Sequence, residues 1–172
     1  MSEVPATTIR IEFVDADPQR PNPAHVGQVA RDAVAALRAE GYDVQPAYTG
    51  AMGGELYELI RTLADGAQAN KDVVLALIAG VAAPIATALA GRLKKAETPA
   101  NQPAAPATSP ASPPVVVVVA GTQVEVPDPQ ISPDDLLRRL LAADPSLPQR
   151  VTPQTAVTIR APVMTPPQRP RR

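Results

Sequence analysis

The sequence predicts an α+β or small α/β module with a four- to five-stranded sheet and two to four helices, one of them highly apolar. Three observations predict it. Short runs of strand-period alternation are interleaved with amphipathic runs of helical period. Aromatic residues make up only 2% of the chain, so the core has to be built from Ala, Val, Leu and Ile. Sixteen of the 22 prolines lie after residue 96, six of them within residues 96–114. The 172 residues suffice for one ordinary domain or two very small ones.

Residues 8–13 (TIRIEF) place Ile9, Ile11 and Phe13 opposite Thr8, Arg10 and Glu12, the pattern of a strand with one buried face. A helix follows, with Asn22 as N-cap and Pro23 at its first position. Val26, Ala30, Ala33, Val34 and Leu37 form its apolar stripe, and Gly41 sits where a C′ glycine belongs. Residues 42–48 read as a second strand, with Tyr42 and Val44 on one face. Two strands flanking a helix are expected to run parallel through a right-handed crossover. Gly50, Gly53 and Gly54 make a loop, and residues 55–64 read as an amphipathic helix carrying Leu56, Leu59, Ile60 and Leu63.

Residues 73–90 are 18 residues without a charge, with Lys71 and Asp72 before them and Arg92, Lys94 and Lys95 after. At 1.5 Å per residue such a helix is about 27 Å long, close to a hydrocarbon core of about 30 Å. Seven of the 18 are Ala, which favours insertion far less than Leu or Ile. Burial in a small domain and a membrane span therefore both stand as readings, with peripheral membrane contact as a third. Residues 1–20 carry charges throughout, which is not the pattern of a signal peptide.

Past the proline cluster, residues 115–126 read as a hairpin turning at Gly121. Ser132, Pro133, Asp134 and Asp135 start a helix with Leu136, Leu137, Leu140 and Leu141 on its apolar side. Residues 155–160 make the last strand. The organisation read from this is a 1–95 unit containing an apolar helix over 72–95, and a disordered Ala/Pro linker over 96–114. A 115–161 unit completing the same sheet follows, then a disordered basic tail over 162–172.

Composition excludes several chemistries. The chain has no cysteine, hence no thiolate site, and its one histidine, His25, cannot build a multi-histidine site. His25 is expected to be exposed in the first turn of its helix. A net charge of −1 gives no bulk attraction to nucleic acid. Asp15 and Asp17 are best read as loop solvation, and residues 50–54 (GAMGG) lack P-loop and Rossmann spacing. No catalytic, cofactor or metal residues are assigned. The candidate site is an interaction face on the apolar helix: Leu75, Leu77, Ile78, Gly80, Ala83, Pro84, Ile85, Thr87 and Gly91. Its small residues recur at helical spacing and allow close helix approach.

Residues 50–54, the run 73–90 with Gly91-Arg92, the hairpin VVVVVAGTQVEV and the following DDLLRRLL together carry a resemblance. Their order resembles the effector-associated constant component proteins of bacterial conflict systems. The long linker, the N-terminal helix and the tail are additions to that pattern. The resemblance implies a small, invariant, non-enzymatic partner encoded beside variable effectors such as peptidase or nucleotide-cleaving domains, and it carries over no catalytic residues. The reading taken from the whole sequence is a non-catalytic cytoplasmic adaptor that assembles with effector proteins, with itself or with both, and membrane association is a variant of it. The alternative is a membrane-anchored structural protein that oligomerises through residues 73–90.

Overall fold

The computed structural model describes residues 6–47, 55–62, 71–97, 113–126 and 130–165. Among them the chain forms β1 (Ala6–Asp15), α1 (Pro23–Ala39), β2 (Val44–Pro46), β3 (Glu55–Thr62) and α2 (Lys71–Glu97). These are followed by β4 (Val115–Val119), β5 (Thr122–Val126), α3 (Pro133–Ala143), α4 (Leu147–Arg150) and β6 (Val157–Val163). The strands make one mixed six-stranded sheet in the order β2-β3-β1-β6-β4-β5, one or two strands more than the sequence predicts. The fold is α+β.

Period-2 patterning sets which side of the sheet is buried. The register aligns Val44, Leu59, Ile9, Val157, Val119 and Thr122 across all six strands, and Tyr57, Ile11, Ile159, Val117 and Val124 in the next buried row. All are buried. Helix α1 lies against β1, β2 and β3, α2 against β6 and β4, and α3 against β5, with α2 touching all three other helices. The sheet therefore has one helix-covered face. Its other face carries cross-strand ion pairs in register, Arg10 Nε to Glu58 at 2.8 Å and Arg160 Nε to Glu12 at 3.1 Å.

The caps hold as read. Asn22 accepts a hydrogen bond from the His25 N–H at 3.1 Å, Gly41 has φ +94°, and Ser132 accepts from the Asp135 N–H at 3.1 Å. The hairpin turns through Ala120 (φ 48°) and Gly121 (φ 84°), the paired positive φ values of a type I′ turn.

Four expectations are corrected. Residues 55–62 form β3, not a helix. Leu56, Leu59 and Ile60 satisfy a helical spacing, but Tyr57 and Leu59 are the buried pair, while Ile60 is 70% exposed on the open face. As a strand the segment satisfies the backbone of β1 over eight register positions and sets Tyr57 edge-on to Phe13 at 5.9 Å. The second strand is only Val44–Pro46, and it is not β1's neighbour. It runs parallel to β1 with the antiparallel β3 between them. The last strand extends to Val163, so Pro162 and Val163 belong to the sheet, not to a tail. Pro162 is accommodated where β6 ends. Helix α2 includes Ala96 and Glu97, taking two residues from the expected linker. The glycine loop at 50–54, the linker residues 98–112 and the tail residues 166–172 lie outside the described residues.

Ala120 adopts a left-handed conformation that costs an L-residue about 1–2 kcal/mol and that Asn tolerates better. Ala120→Asn is expected to stabilise the protein by about 0.5–1 kcal/mol, read as a rise in the urea midpoint at unchanged slope.

Candidate functional site

Helix α2 has two faces that its composition hides, because both are apolar. Val74, Leu75, Ile78, Ala82, Ile85 and Leu89 are at most 3% exposed and form the inner face with Ala79, Ala83, Ala86 and Leu93. At about 100° per residue these positions cover about half the helix circumference. The opposite side carries Val73 (42% exposed), Ala76, Gly80, Pro84 and Gly91, all exposed, flanked by the half-buried Leu77, Thr87 and Ala88. Successive steps of three, four, four and seven residues keep Val73, Ala76, Gly80, Pro84 and Gly91 in one stripe. From Val73 to Gly91 the helix carries no charge. A solvent-side helix face is ordinarily polar.

Of the nine residues named from sequence, the structure brings Gly80, Pro84 and Gly91 onto this stripe, with Leu77 at its border. Leu75, Ile78, Ala83 and Ile85 are instead core residues, each at most 1% exposed. Ala83 lies only about 20° around the helix from the exposed Ala76, at the edge of the stripe, and the fold covers that edge at the level of Ala83. Thr87 is engaged within the fold. Its hydroxyl accepts from the Ile131 N–H at 3.2 Å and lies 3.3 Å from the Ile131 carbonyl, fastening the chain that leads into α3. Val73 and Ala76 belong to the stripe and were missed; rotation by 100° steps from Gly80 and Pro84 identifies both.

Pro84 has no N–H for the Gly80 carbonyl. Because both residues are on the exposed stripe, that carbonyl lies on the solvent side and costs less than a buried orphan would. A Cβ built on Gly80 or Gly91 meets nothing within 4 Å. Neither glycine is required by packing.

The polar groups considered from sequence have structural partners. Asp15 accepts from the backbone N–H of Asp17 at 3.0 Å and of Asn22 at 2.6 Å, and Asp17 accepts from Gln19 N–H at 3.1 Å. The two carboxylates organise the turn between β1 and α1. His25, expected to be exposed, is half-buried, with Nε2 3.1 Å from the Met164 carbonyl, tying α1 to the end of β6. Asp144 joins Arg150, the Thr122 hydroxyl and Ser146, while Arg150 also donates to the Ala120 carbonyl at 3.0 Å. That network holds the hairpin turn against α4, a short helix the sequence reading missed. Among the described residues, no three His, Asp or Glu side chains converge at metal-binding distance. The shallow groove between α1 and α2, lined by Ala33, Ala36, Glu40, Ala88 and Arg92, has no enclosed room for a ligand.

The Tyr57 hydroxyl is moved from its ordinary range. Burial first, and then the Glu55 carboxylate to which it donates at 3.3 Å, push its pKa above 10.0. Comparison with known proteins adds nothing to this geometry: no family model, curated protein or solved structure matches the chain.

Three outcomes are expected for stability. Gly80→Arg is expected to fold at least as stably as the parent, since it fills open space and removes a helix-interior glycine worth about 1 kcal/mol. Ala83→Arg is expected to abolish cooperative unfolding, since it buries an unpaired charge. Circular dichroism during thermal melts separates the two. For Tyr57, a raised folded-state pKa means that its contribution is intact below 10.0 and lost as pH rises through the folded value. The urea midpoint should fall above pH 10.0, and Tyr57→Phe should make that fall shallower.

Proposed function

We propose that the chain is a non-catalytic adaptor of a bacterial conflict system, and that it assembles with effector proteins through the outward stripe of α2. The single observation carrying this reading is that stripe, a run with no charge between Asp72 and Arg92 on the solvent side of a helix whose other side is fully used by the fold. The residues found there support it. Gly is about 1 and Pro about 3 kcal/mol less favourable than Ala inside a helix. Gly80, Pro84 and Gly91 therefore cost the fold stability without filling its core, whereas small flat residues suit close contact with a partner. The titratable groups weighed from sequence are occupied in caps, turns and strand-to-helix ties, which fits an interaction role better than a reaction.

The rival reading is a membrane-anchored structural protein, and it draws on a mean hydropathy of 2.4 over the most apolar 18-residue window within Asp72–Lys94. Half of the most apolar window of that helix is buried inside the protein. Spanning a bilayer would pull Leu75, Ile78 and Ile85 off the sheet and expose the valine rows of β4 and β6 to water. The adaptor reading requires no such rearrangement and places the protein in the cytoplasm.

Co-expression with the proteins encoded by adjacent genes tests the adaptor reading. The parent chain is expected to co-purify with at least one of them, and Gly80→Arg to lose it by more than ten-fold while keeping its melting profile, the scale of a truncated interface anchor. Co-purification unchanged in Gly80→Arg, or no partner for the parent chain, would contradict it.

A further inference from the structure

We propose that the chain pairs with a second copy of itself through the free edge of β5, extending the sheet across a two-fold axis at Val124. The two sheet edges are treated differently. At the β2 edge the strand has three residues and ends at Pro46, and the Val44 carbonyl accepts Arg38 Nε at 3.0 Å and Nη2 at 2.7 Å. A short strand with a proline and a satisfied carbonyl is a poor template for another chain. β5 has none of these protections. Its five residues are in unbroken register with β4, without proline or bulge, and it is the terminal strand on its side among the described residues.

The hairpin decides which backbone groups point outward. In a two-residue turn the flanking pair, here Val119 and Thr122, exchanges both hydrogen bonds. Counting from that pair, Thr122, Val124 and Val126 direct their N–H and C=O toward β4. Gln123 and Glu125 direct theirs to the open edge. In an antiparallel contact centred on Val124, Gln123 of each copy lies opposite Glu125 of the other, and the outward groups form four hydrogen bonds.

Side chains select the same register. Centring on Val124 sets an amide against a carboxylate on the open face and Val124 against Val124 on the helix-covered face. Centring on Glu125 opposes two carboxylates. Centring on Gln123 sets Glu125 against Gly121, whose φ of 84° lies outside extended geometry. Registers of odd offset match outward groups with inward ones. The contact is independent of the α2 stripe. It is also small against the ~1,600 Å² of a standard stable interface, so the dimer should dissociate on dilution.

Sedimentation velocity of the full chain over a concentration series tests this. A reversible monomer–dimer equilibrium is expected. Gln123→Pro removes an outward N–H and leaves the β4 ladder intact, so it should be monomeric throughout with an unchanged melt. Gln123→Lys, opposing Glu125 twice in the dimer, should tighten Kd about five-fold, and Gln123→Glu should weaken it about five-fold. If Gln123→Pro perturbs the melt, the opposite shifts of the Lys and Glu variants decide, and equal Kd values for both would overturn the proposal. A monomer at every concentration would also overturn it, as would a dimer lost in Gly80→Arg but kept in Gln123→Pro. Amide protection of Gln123 and Glu125 that appears only with a different protein would assign the edge to a foreign strand and overturn self-pairing.

Discussion

Burial of one side of α2 against β6 and β4 is the constraint on which the rest of the structure depends. The core contains few rings, with Phe13 and Tyr57 meeting beneath α1's side of the sheet. Its apolar area therefore comes from many aliphatic side chains, each large one worth about 1.5–3 kcal/mol when fully buried. Helix α2 supplies Leu75, Ile78, Ile85 and Leu89, and its Ala79, Ala82, Ala83 and Ala86 let it sit close to the strands. It is also the middle helix of the layer, touching α1 and α3. Only half of its circumference is needed for this, and the unused half is the chemically unusual one.

The sheet explains why the two ends of the chain make a single structure. β1 and β6 are parallel neighbours at its centre, in register from Ile9 with Val157 to Asp15 with Val163. The Thr7 hydroxyl reinforces this junction by donating to the Thr155 carbonyl at 2.7 Å. The late hairpin then adds to β6 through β4, so residues beyond the proline cluster complete the same core. Polar side chains act as fasteners in this arrangement: Asp15 for the turn into α1, His25 for the end of β6, Asp144 and Arg150 for the β4–β5 turn. The functional proposals rest on surfaces, a helix face and a strand edge, and not on these fasteners.

Features set by local rules were legible in the sequence. Asn22-Pro23 and Ser132-Pro133 announce helix starts, Ala120-Gly121 a hairpin turn, and Ile9, Ile11 and Phe13 a one-sided strand. Features decided by distant partners were not. Leu56, Leu59 and Ile60 fit a helix until β1 is present to pair with Tyr57 and Leu59. The extra reach of β6 to Val163 comes from β1, whose far end is in register with it. Which residues of α2 face solvent was not legible either, because in an uncharged helix hydropathy does not tell inside from outside. Leu75, Ile78, Ala83 and Ile85 are taken up by the core, and Thr87 by Ile131.

The central claim is that α2 is a helix of the fold with one buried face and one open, uncharged face. The absence of native cysteine allows it to be read directly, by single-cysteine substitution along α2 and the rate of maleimide labelling in the folded protein. Cysteines at Ala76, Gly80 and Gly91 should label rapidly, and those at Ala79, Ala82 and Ala86 slowly, giving a helical period in the rates. Uniform protection over residues 73–90 that is relieved only by detergent would contradict the account, as would uniform reactivity.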